Sequence, residues 1–320
     1  MKALTGLLWG VGFLLLLFLF LRLDAAAVWD SFGRIGWTGF GLVLLAGLVL
    51  TACLAAGLYP LLSGDASHKI SVGLVFAARQ VRDSAGDILP FTQIGGMALG
   101  MRVLVLGGIA PARAIAAGTV DVTTELIAQG LFILLGIVLA APAIAADPVL
   151  GPYLGWLVGF TLLFAAAVLG FALLQLGGSH LAEKWLAPRT VGASAAAFRA
   201  AIHHLYRQRS RILMSVALHL LGWCVSGLWL WLVFWLLGKS LTPVSAIAIQ
   251  SLLEGLRSAM VFIPAAIGIQ EAGYAALVPL FGLAPETGLA ISILRRARDI
   301  AIGVPALLIW QMVEARRARR

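Results

Sequence analysis

Long uncharged stretches of Leu, Val, Ala, Ile, Phe and Trp recur along the chain, separated by short polar clusters rather than alternating with them. Six stretches, at about 3–21, 38–62, 113–141, 152–177, 211–237 and 287–313, reach the length of roughly 18–20 residues that a helix needs to cross hydrocarbon. The ten-residue alternation of a membrane barrel is missing, so the spans read as helices, which satisfy their own backbone inside lipid. Two further regions, 71–110 and 243–283, break the helical pattern with proline and glycine, at Pro90…Gly95-Gly96 and Pro264…Gly268. Their halves are short for a crossing and are expected as re-entrant hairpins or tilted half-helices. The expected fold is an all-α polytopic membrane protein with about six full spans and two broken-helix elements, or alternatively up to ten short spans.

An offset of 174 residues superimposes the two unusual regions. Trp37 and Thr38 fall on the span start at Arg211 and Ile212, Pro90 falls on Pro264, Asp121 on Arg295 and Glu125 on Asp299. The matching positions are proline and ionisable residues, which are rare in this chain. The organisation read from this is a single integral membrane domain over 1–320. A first span and loop occupy 1–37, one repeat 38–141, a connecting span and basic linker 142–210, a second repeat 211–313 and a basic tail 314–320. Repeats of opposite orientation with interrupted helices place a transporter's site at the repeat interface near the midplane.

Composition agrees: 61% of residues are hydrophobic and 12% charged, about half the charged share of an average soluble domain. The net charge is +9, and its placement sets the expected topology. Lys184, Arg189, Arg199, Arg207, Arg209 and Arg211 crowd one linker, and Arg316, Arg317, Arg319 and Arg320 lie at the end. By the positive-inside rule both segments are cytoplasmic. Working back through the spans puts 142–151 outside and the N-terminus inside. In the linker, Phe198, Ile202 and Leu205 share one helical face opposite Arg199, His203 and Arg207, a pattern expected of a helix lying on anionic headgroups. Basic loops of this kind are ordinary in membrane proteins, so no nucleic-acid partner is expected. The first apolar segment is followed by Arg22-Leu23-Asp24 where a signal peptide would have small residues, so it is expected to remain. Cys53 and Cys224 lie in apolar runs and read as packed hydrophobes.

The candidate chemistry lies at the two breaks. On helical spacing Arg79, Arg82, Asp83 and Asp87 share a face, as do Asp121, Glu125 and Gln129, and Arg295 with Asp299. Glu254 and Arg257 precede the second break; Gln270 and Glu271 follow it. Mutual neutralisation in buried ion pairs is one reading of these charges. The other is a cation-rich cavity, because Arg79, Arg82, Arg102, Arg257, Arg295, Arg296 and Arg298 are many for one-to-one pairing. Guanidinium forks and the N–H groups of half-helix termini both suit phosphate. The glycines at Gly6/Gly10, Gly96/Gly100 and Gly151/Gly155/Gly159 have the spacing that lets helices approach closely. Enzyme signatures fall short. Gly238-Lys239-Ser240 has Val233 where a P-loop needs glycine, His203-His204 has no ligand at metal spacing, and no GxSxG elbow occurs. No cofactor or metal is expected.

The stretches "LPFTQIGGMALGMR" (89–102), "IPAAIGIQEAGYAAL" (263–277) and "LRRARDIAIGVPALL" (294–308) resemble the lysylphosphatidylglycerol synthase transmembrane-region family. That family includes the flippase half of MprF-type proteins. The Arg-x-x-Arg-Asp…Pro-Phe…Gly-Gly form most resembles its hopanoid-biosynthesis-associated, HpnL-like branch. The resemblance covers roughly 38–313 and implies a bacterial cytoplasmic (inner) membrane protein that translocates lipid. Carried over by position, it points to Arg82, Pro90, Gly95, Gly96, Pro264, Gly268, Glu271, Arg295 and Asp299. With the residues read from the breaks, Arg79, Asp83, Gln93, Arg102, Glu125, Arg257 and Arg298 complete the expected headgroup site. Gln270 and Ala265-Ala266 replace the more usual Arg and Gly at the second break, and no aminoacyl-transferase domain precedes Arg320, so lysyl transfer is not expected.

The expected activity is thus a lipid flippase or transporter for an anionic phospholipid or a hopanoid-type lipid, working beside lipid-biosynthetic enzymes. A headgroup-modifying enzyme or a scaffold of a biosynthetic complex is the alternative. The topology has its own test: in intact cells an impermeant maleimide should label Asp147→Cys, and should reach Arg207→Cys only after permeabilisation.

Overall fold

A computed structural model describes residues 25–63, 70–88, 93–149, 151–177, 192–260, 263 and 266–318. Ten α-helices make up almost all of it, and no strand occurs among the described residues. They are α1 (Ala25–Leu62), α2 (Val72–Ile88), α3 (Gln93–Leu106), α4 (Pro111–Ala146), α5 (Leu154–Gly177), α6 (Gly192–Arg207), α7 (Arg209–Leu236), α8 (Pro243–Ala259), α9 (Ile269–Leu277) and α10 (Pro285–Ala318). The protein is an all-α polytopic membrane protein. Among the described residues four stretches are long and apolar enough to cross a bilayer: Gly33–Leu62, Pro111–Ala146, Gly151–Gln175 and Arg209–Leu236. The expected span at 287–313 is one continuous helix, but Arg295, Arg296, Arg298 and Asp299 interrupt its apolar character. The expected span at 3–21 lies outside the described residues, as do Pro90 and Pro264.

Local chemistry sets the helix ends. Gly36 adopts φ 61° and kinks α1 just before Trp37, a conformation only glycine takes at little cost. Proline opens α4 and α8, and the Thr242 hydroxyl accepts from Ser245 N–H at 3.1 Å to cap α8. Gly268 at φ 79° opens α9, where its N–H donates to Glu271 Oε2 at 2.8 Å. The broken elements are short, as expected. Helices α2, α3, α8 and α9 have 17, 14, 17 and 9 residues. At about 1.5 Å per residue none reaches the ~30 Å of a hydrocarbon core.

The repeat holds element by element. Moved by 174 residues, α1 from Trp37 onward, α2, α3 and α4 fall on α7, α8, α9 with the 3₁₀ turn Val278–Phe281, and α10. Packing is reciprocal: α4 packs on α7 and α8, while α10 packs on α1 and α2. Two apolar cores lie at either end of this assembly. One gathers Leu58, Leu62, Val81, Leu104 and Val120 around the first broken element. The other gathers Val43, Trp229, Phe234, Leu253, Tyr274 and Leu294 around the second. Helix α1 runs from the second core (Val43) to the first (Leu62), whereas its counterpart α7 runs from Ile212 at the first to Phe234 in the second. Equivalent helices traverse the molecule in opposite directions, so the repeats are inverted.

Two expectations about packing change. Helix α6 buries Ile202 and Leu205 in the first core beside α4. Its apolar face therefore covers protein rather than headgroups, because α4 offers it a dry surface to fill. Glycine spacing also divides. A Cβ at Gly96 would meet Arg82 O at 2.4 Å and one at Gly100 would meet Ala78 O at 2.9 Å, so α3 lies directly on the α2 backbone. Gly155 and Gly159 face open space on α5, whose Trp156 and Leu163 are exposed as a lipid-facing surface would be. Gly6 and Gly10 lie outside the described residues. Along the α1–α7 seam, a Cβ at Gly57 would strike the His219 ring at 2.5 Å and one at Gly222 the Leu54 side chain at 2.6 Å.

These contacts predict a contrast. Gly96→Ala should cost about 1–3 kcal/mol through overpacking, while Gly159→Ala should leave stability within about 0.5 kcal/mol. Thermal unfolding of the detergent-solubilised protein measures both.

Candidate functional site: a charged cavity between two apolar cores

Between the two cores α10 turns charged, while α1 stays apolar but for Thr51. On α1, residues Gly47–Leu54 separate Val43 from Leu58; on α10, Arg295–Ile302 separate Leu294 from Leu307. These segments, with α2, α4, α7 and α8, enclose a cavity of about 500 Å³. Its wall carries five arginines, Arg79, Arg82, Arg257, Arg295 and Arg298, and five acids, Asp83, Asp87, Glu125, Glu254 and Asp299.

The first repeat supplies one group. Arg79, almost fully buried, donates from Nε to Asp83 Oδ2 at 2.7 Å and from Nη2 to Glu125 Oε1 at 2.6 Å. Arg82 donates from Nη2 to Glu125 Oε2 at 2.6 Å and from Nη1 to Asp121 Oδ2 at 3.0 Å. Glu125 thus holds both guanidiniums, one on each oxygen. The i, i+3 spacing on α2 and the i, i+4 spacing on α4 put two bases opposite two acids, which is why two ordinary helices suffice to build the lattice.

The second repeat reverses the arrangement, with the acid on the short helix and the base on the long one. Glu254 Oε1 accepts from Arg295 Nη2 at 3.0 Å, from Gln250 Nε2 at 2.9 Å and from Arg257 Nη1 at 3.4 Å. The Tyr274 hydroxyl donates to Gln250 Oε1 at 2.9 Å and accepts from Arg295 Nη1 at 3.3 Å. Arg257 Nη2 then reaches Asp87 Oδ1 at 3.3 Å, joining the ends of α2 and α8. Arg298 pairs with Asp299 at 2.6 Å and lies over the Trp229 ring, 4.3 Å from its centroid. Gly47 makes room for it, since a Cβ there would lie 2.8 Å from Arg298 Cδ.

The expected cation excess is not found. Every one of the seven arginines singled out in the sequence has a carboxylate partner, and the lining sums to zero formal charge. Buried guanidiniums in a low-dielectric interior require that pairing. Hydrogen-bonding capacity nevertheless remains. Arg79 Nη1, Arg82 Nε, Arg295 Nε and Trp223 Nε1 have no hydrogen-bond partner among the described residues, and all four belong to residues that line the cavity. Gln80 Oε1, on the same wall, is an acceptor without a partner among the described residues, so donors outnumber acceptors four to one and the wall favours a group rich in acceptors.

Of the residues expected at a headgroup site, Arg79, Arg82, Asp83, Glu125, Arg257, Arg295, Arg298 and Asp299 line the cavity. Others have different places. Arg102 is exposed and pairs with Glu314 at 2.5 Å. Gly95 and Gly96 lie on α3 away from the cavity, Gly96 against α2. Gly268 and fully buried Glu271 form the cap of α9. There Glu271 also binds Arg296 at 2.5 Å and accepts from Ser292 Oγ at 3.1 Å. That N-terminus is therefore filled by the chain's own carboxylate rather than open to an anion. Ala266, beside the cap, holds φ 48°, a left-handed conformation at the break where glycine is the usual residue. Pro90, Pro264 and the Gln93 side chain lie outside the described residues. Gln250, Tyr274 and His219 are site neighbours that sequence spacing did not single out, because each is one polar residue in an apolar run.

A family model described as Lysylphosphatidylglycerol synthase TM region matches residues 4–306. The chain belongs to the lysylphosphatidylglycerol synthase TM region family. The match takes in both broken elements and the whole cavity wall, so the charged lattice of this chain lies within the matched region. No curated protein and no solved structure matches the chain.

Glu125→Gln should strip two buried guanidiniums of their shared acid and cost about 3–5 kcal/mol, read as a lowered unfolding midpoint in detergent. Glu314→Gln, at an exposed pair, should leave the midpoint unchanged.

Proposed function

We propose that this protein moves a polar-headgroup lipid across the bilayer, with the headgroup passing through the charged cavity while the acyl or polycyclic part stays in hydrocarbon. One observation carries the reading. A cavity of about 500 Å³, lined by ten charged side chains and by residues that hold four unpartnered donors and one unpartnered acceptor among the described residues, lies between two apolar cores of a membrane protein. A charged headgroup in bare hydrocarbon meets a large desolvation cost; here guanidiniums and carboxylates replace its water. Headgroup oxygens accept from Arg79, Arg82 and Arg295, and from Arg257 once it turns from Asp87. The Arg257–Asp87 pair suits that exchange, being long at 3.3 Å and the most exposed of the cavity's ion pairs.

The inverted repeats support alternating access, in which one half rocks against the other about a fixed central site. Family membership points to a lipid as the cargo. An anionic phospholipid and a hopanoid-type lipid bearing a polar group both offer the required acceptors; the HpnL-like motif form favours the second, alongside hopanoid-synthesising enzymes. The basic linker and tail support a bacterial cytoplasmic (inner) membrane location with both termini inside.

The test is movement of tail-labelled phosphatidylglycerol and phosphatidylethanolamine in proteoliposomes. Wild type should equilibrate the leaflets faster than empty vesicles. Arg257→Ala and Arg295→Ala should each slow it about tenfold or more, the worth of one charge-assisted hydrogen bond. Wild-type rates in both variants, with folding intact, would sink the reading. Mass spectrometry of the same lipids separates movement from chemical modification, which changes mass rather than leaflet.

A further inference from the structure

The charged lattice is neutral around the cavity but not in its depth. On α2 and α4, Arg79 and Arg82 face Asp83, Asp121 and Glu125, three acids for two bases. An uncompensated negative charge in this interior is costly. A single further titratable side chain touches the group among the described residues: His219 of α7, whose Nε2 lies 3.0 Å from Asp121 Oδ1. Its side chain is fully buried, and its Nδ1 has no hydrogen-bond partner among the described residues.

Each protonation state leaves a demand unmet. Neutral His219 donates Nε2–H to Asp121 but leaves the excess negative charge and a buried Nδ1 lone pair without a donor. Imidazolium cancels that charge but buries an Nδ1–H without an acceptor. The surroundings add no third term. From α4 come Asp121 and, one turn on, Glu125; from α2 comes Arg82 through Asp121; from α1 comes only Gly57, against the ring. Neither α6 nor α8 places a hydrogen-bonding or ion-pairing group on the imidazole. A void of about 20 Å³ abuts Asp121, Arg79 and Arg82 on the side away from the main cavity, room for about one water. Arg79 and Arg82 line both spaces, so the acid is one guanidinium layer from the cavity. The pair also crosses the repeat interface, with Asp121 in the first repeat and His219 in the second.

We propose that Asp121 and His219 form the site of a coupling proton, so that lipid movement, on the transport reading above, is exchanged against or accompanied by one proton. Neither space borders His219, so the proton reaches Nδ1 only when the repeats part at this contact. Asp121 stays a carboxylate, and the contact between the repeats changes from a hydrogen bond to an ion pair. Release returns the proton to water on the other side as the repeats rock. Headgroup binding and proton binding thus act on the same interface through Arg82.

The experiment uses full-length protein in phosphatidylcholine vesicles doped with tail-labelled phosphatidylglycerol or phosphatidylethanolamine, with the membrane potential clamped by potassium and valinomycin. With no pH gradient, label should reach equal leaflet occupancy. A one-unit gradient should shift the final leaflet ratio about tenfold for one proton per lipid, because tenfold in one concentration then balances tenfold in the other. His219→Gln keeps a donor toward Asp121. It should preserve gradient-free movement within about twofold and abolish the gradient-driven asymmetry. Equal leaflets under a gradient in wild type would overturn the proton site while leaving lipid movement standing. Asymmetry persisting in His219→Gln would overturn the assignment to this pair. No movement in wild type under any condition overturns both readings together.

Discussion

Everything in this molecule follows from the need to give each charge buried in hydrocarbon a partner of opposite sign. Guanidiniums at the centre of a membrane protein are tolerable only when carboxylates meet them with short, directed hydrogen bonds. Glu125 and Glu254 meet that need, each holding two arginines. In the first lattice Arg79 and Arg82 on short α2 meet Asp121 and Glu125 on long α4, and in the second Glu254 on short α8 meets Arg295 on long α10; Asp83, Asp87, Arg257 and Asp299 add the opposite sign to the same helices. The helix breaks, the reciprocal packing of the repeats and the cavity between the cores are the geometry that lets these four helices meet.

The two repeats solve the problem with signs exchanged. At matching positions Asp121 becomes Arg295 and Asp83 becomes Arg257, Arg79 and Arg82 fall on Leu253 and Leu256, and Glu125 keeps its sign as Asp299. The backbone is close to symmetric under the repeat relation, while the charges are closer to antisymmetric. One consequence is local: the excess acid and the buried histidine belong to the first lattice alone, and the tyrosine relay from Arg295 through Tyr274 to Gln250 belongs to the second.

Much of this was legible in the sequence. Apolar run length gave the long helices, and the Pro/Gly breaks gave the short ones within a few residues, because backbone satisfaction in lipid leaves few alternatives. The offset of 174 residues carried through to the helices themselves. Eight of the expected site residues line the cavity, since helical spacing alone gathered Arg79, Arg82 and Asp83 on one face. The balance of charge was harder to read. Pairing is a long-range property, and Arg102 finds Glu314 across 212 residues. Glu271 carries the family motif but serves as a helix cap, which depends on the φ of Gly268. His219 was invisible as one polar letter within an apolar span. Helix α6 has the alternation of a surface helix, yet α4 fills its apolar side; amphipathicity names a buried face without naming what buries it.

The seam between α1 and α7 has a mechanical meaning. Gly57 against His219 and Gly222 against Leu54 bring the two inverted halves together at positions with no side chain of their own. Each glycine leaves a notch that the facing helix fills, His219 at Gly57 and Leu54 at Gly222. Side chains seated in this way must unseat before helices can turn past each other. The seam is therefore a keyed joint, registered at two points, and any side chain added at either notch would wedge the inverted halves apart.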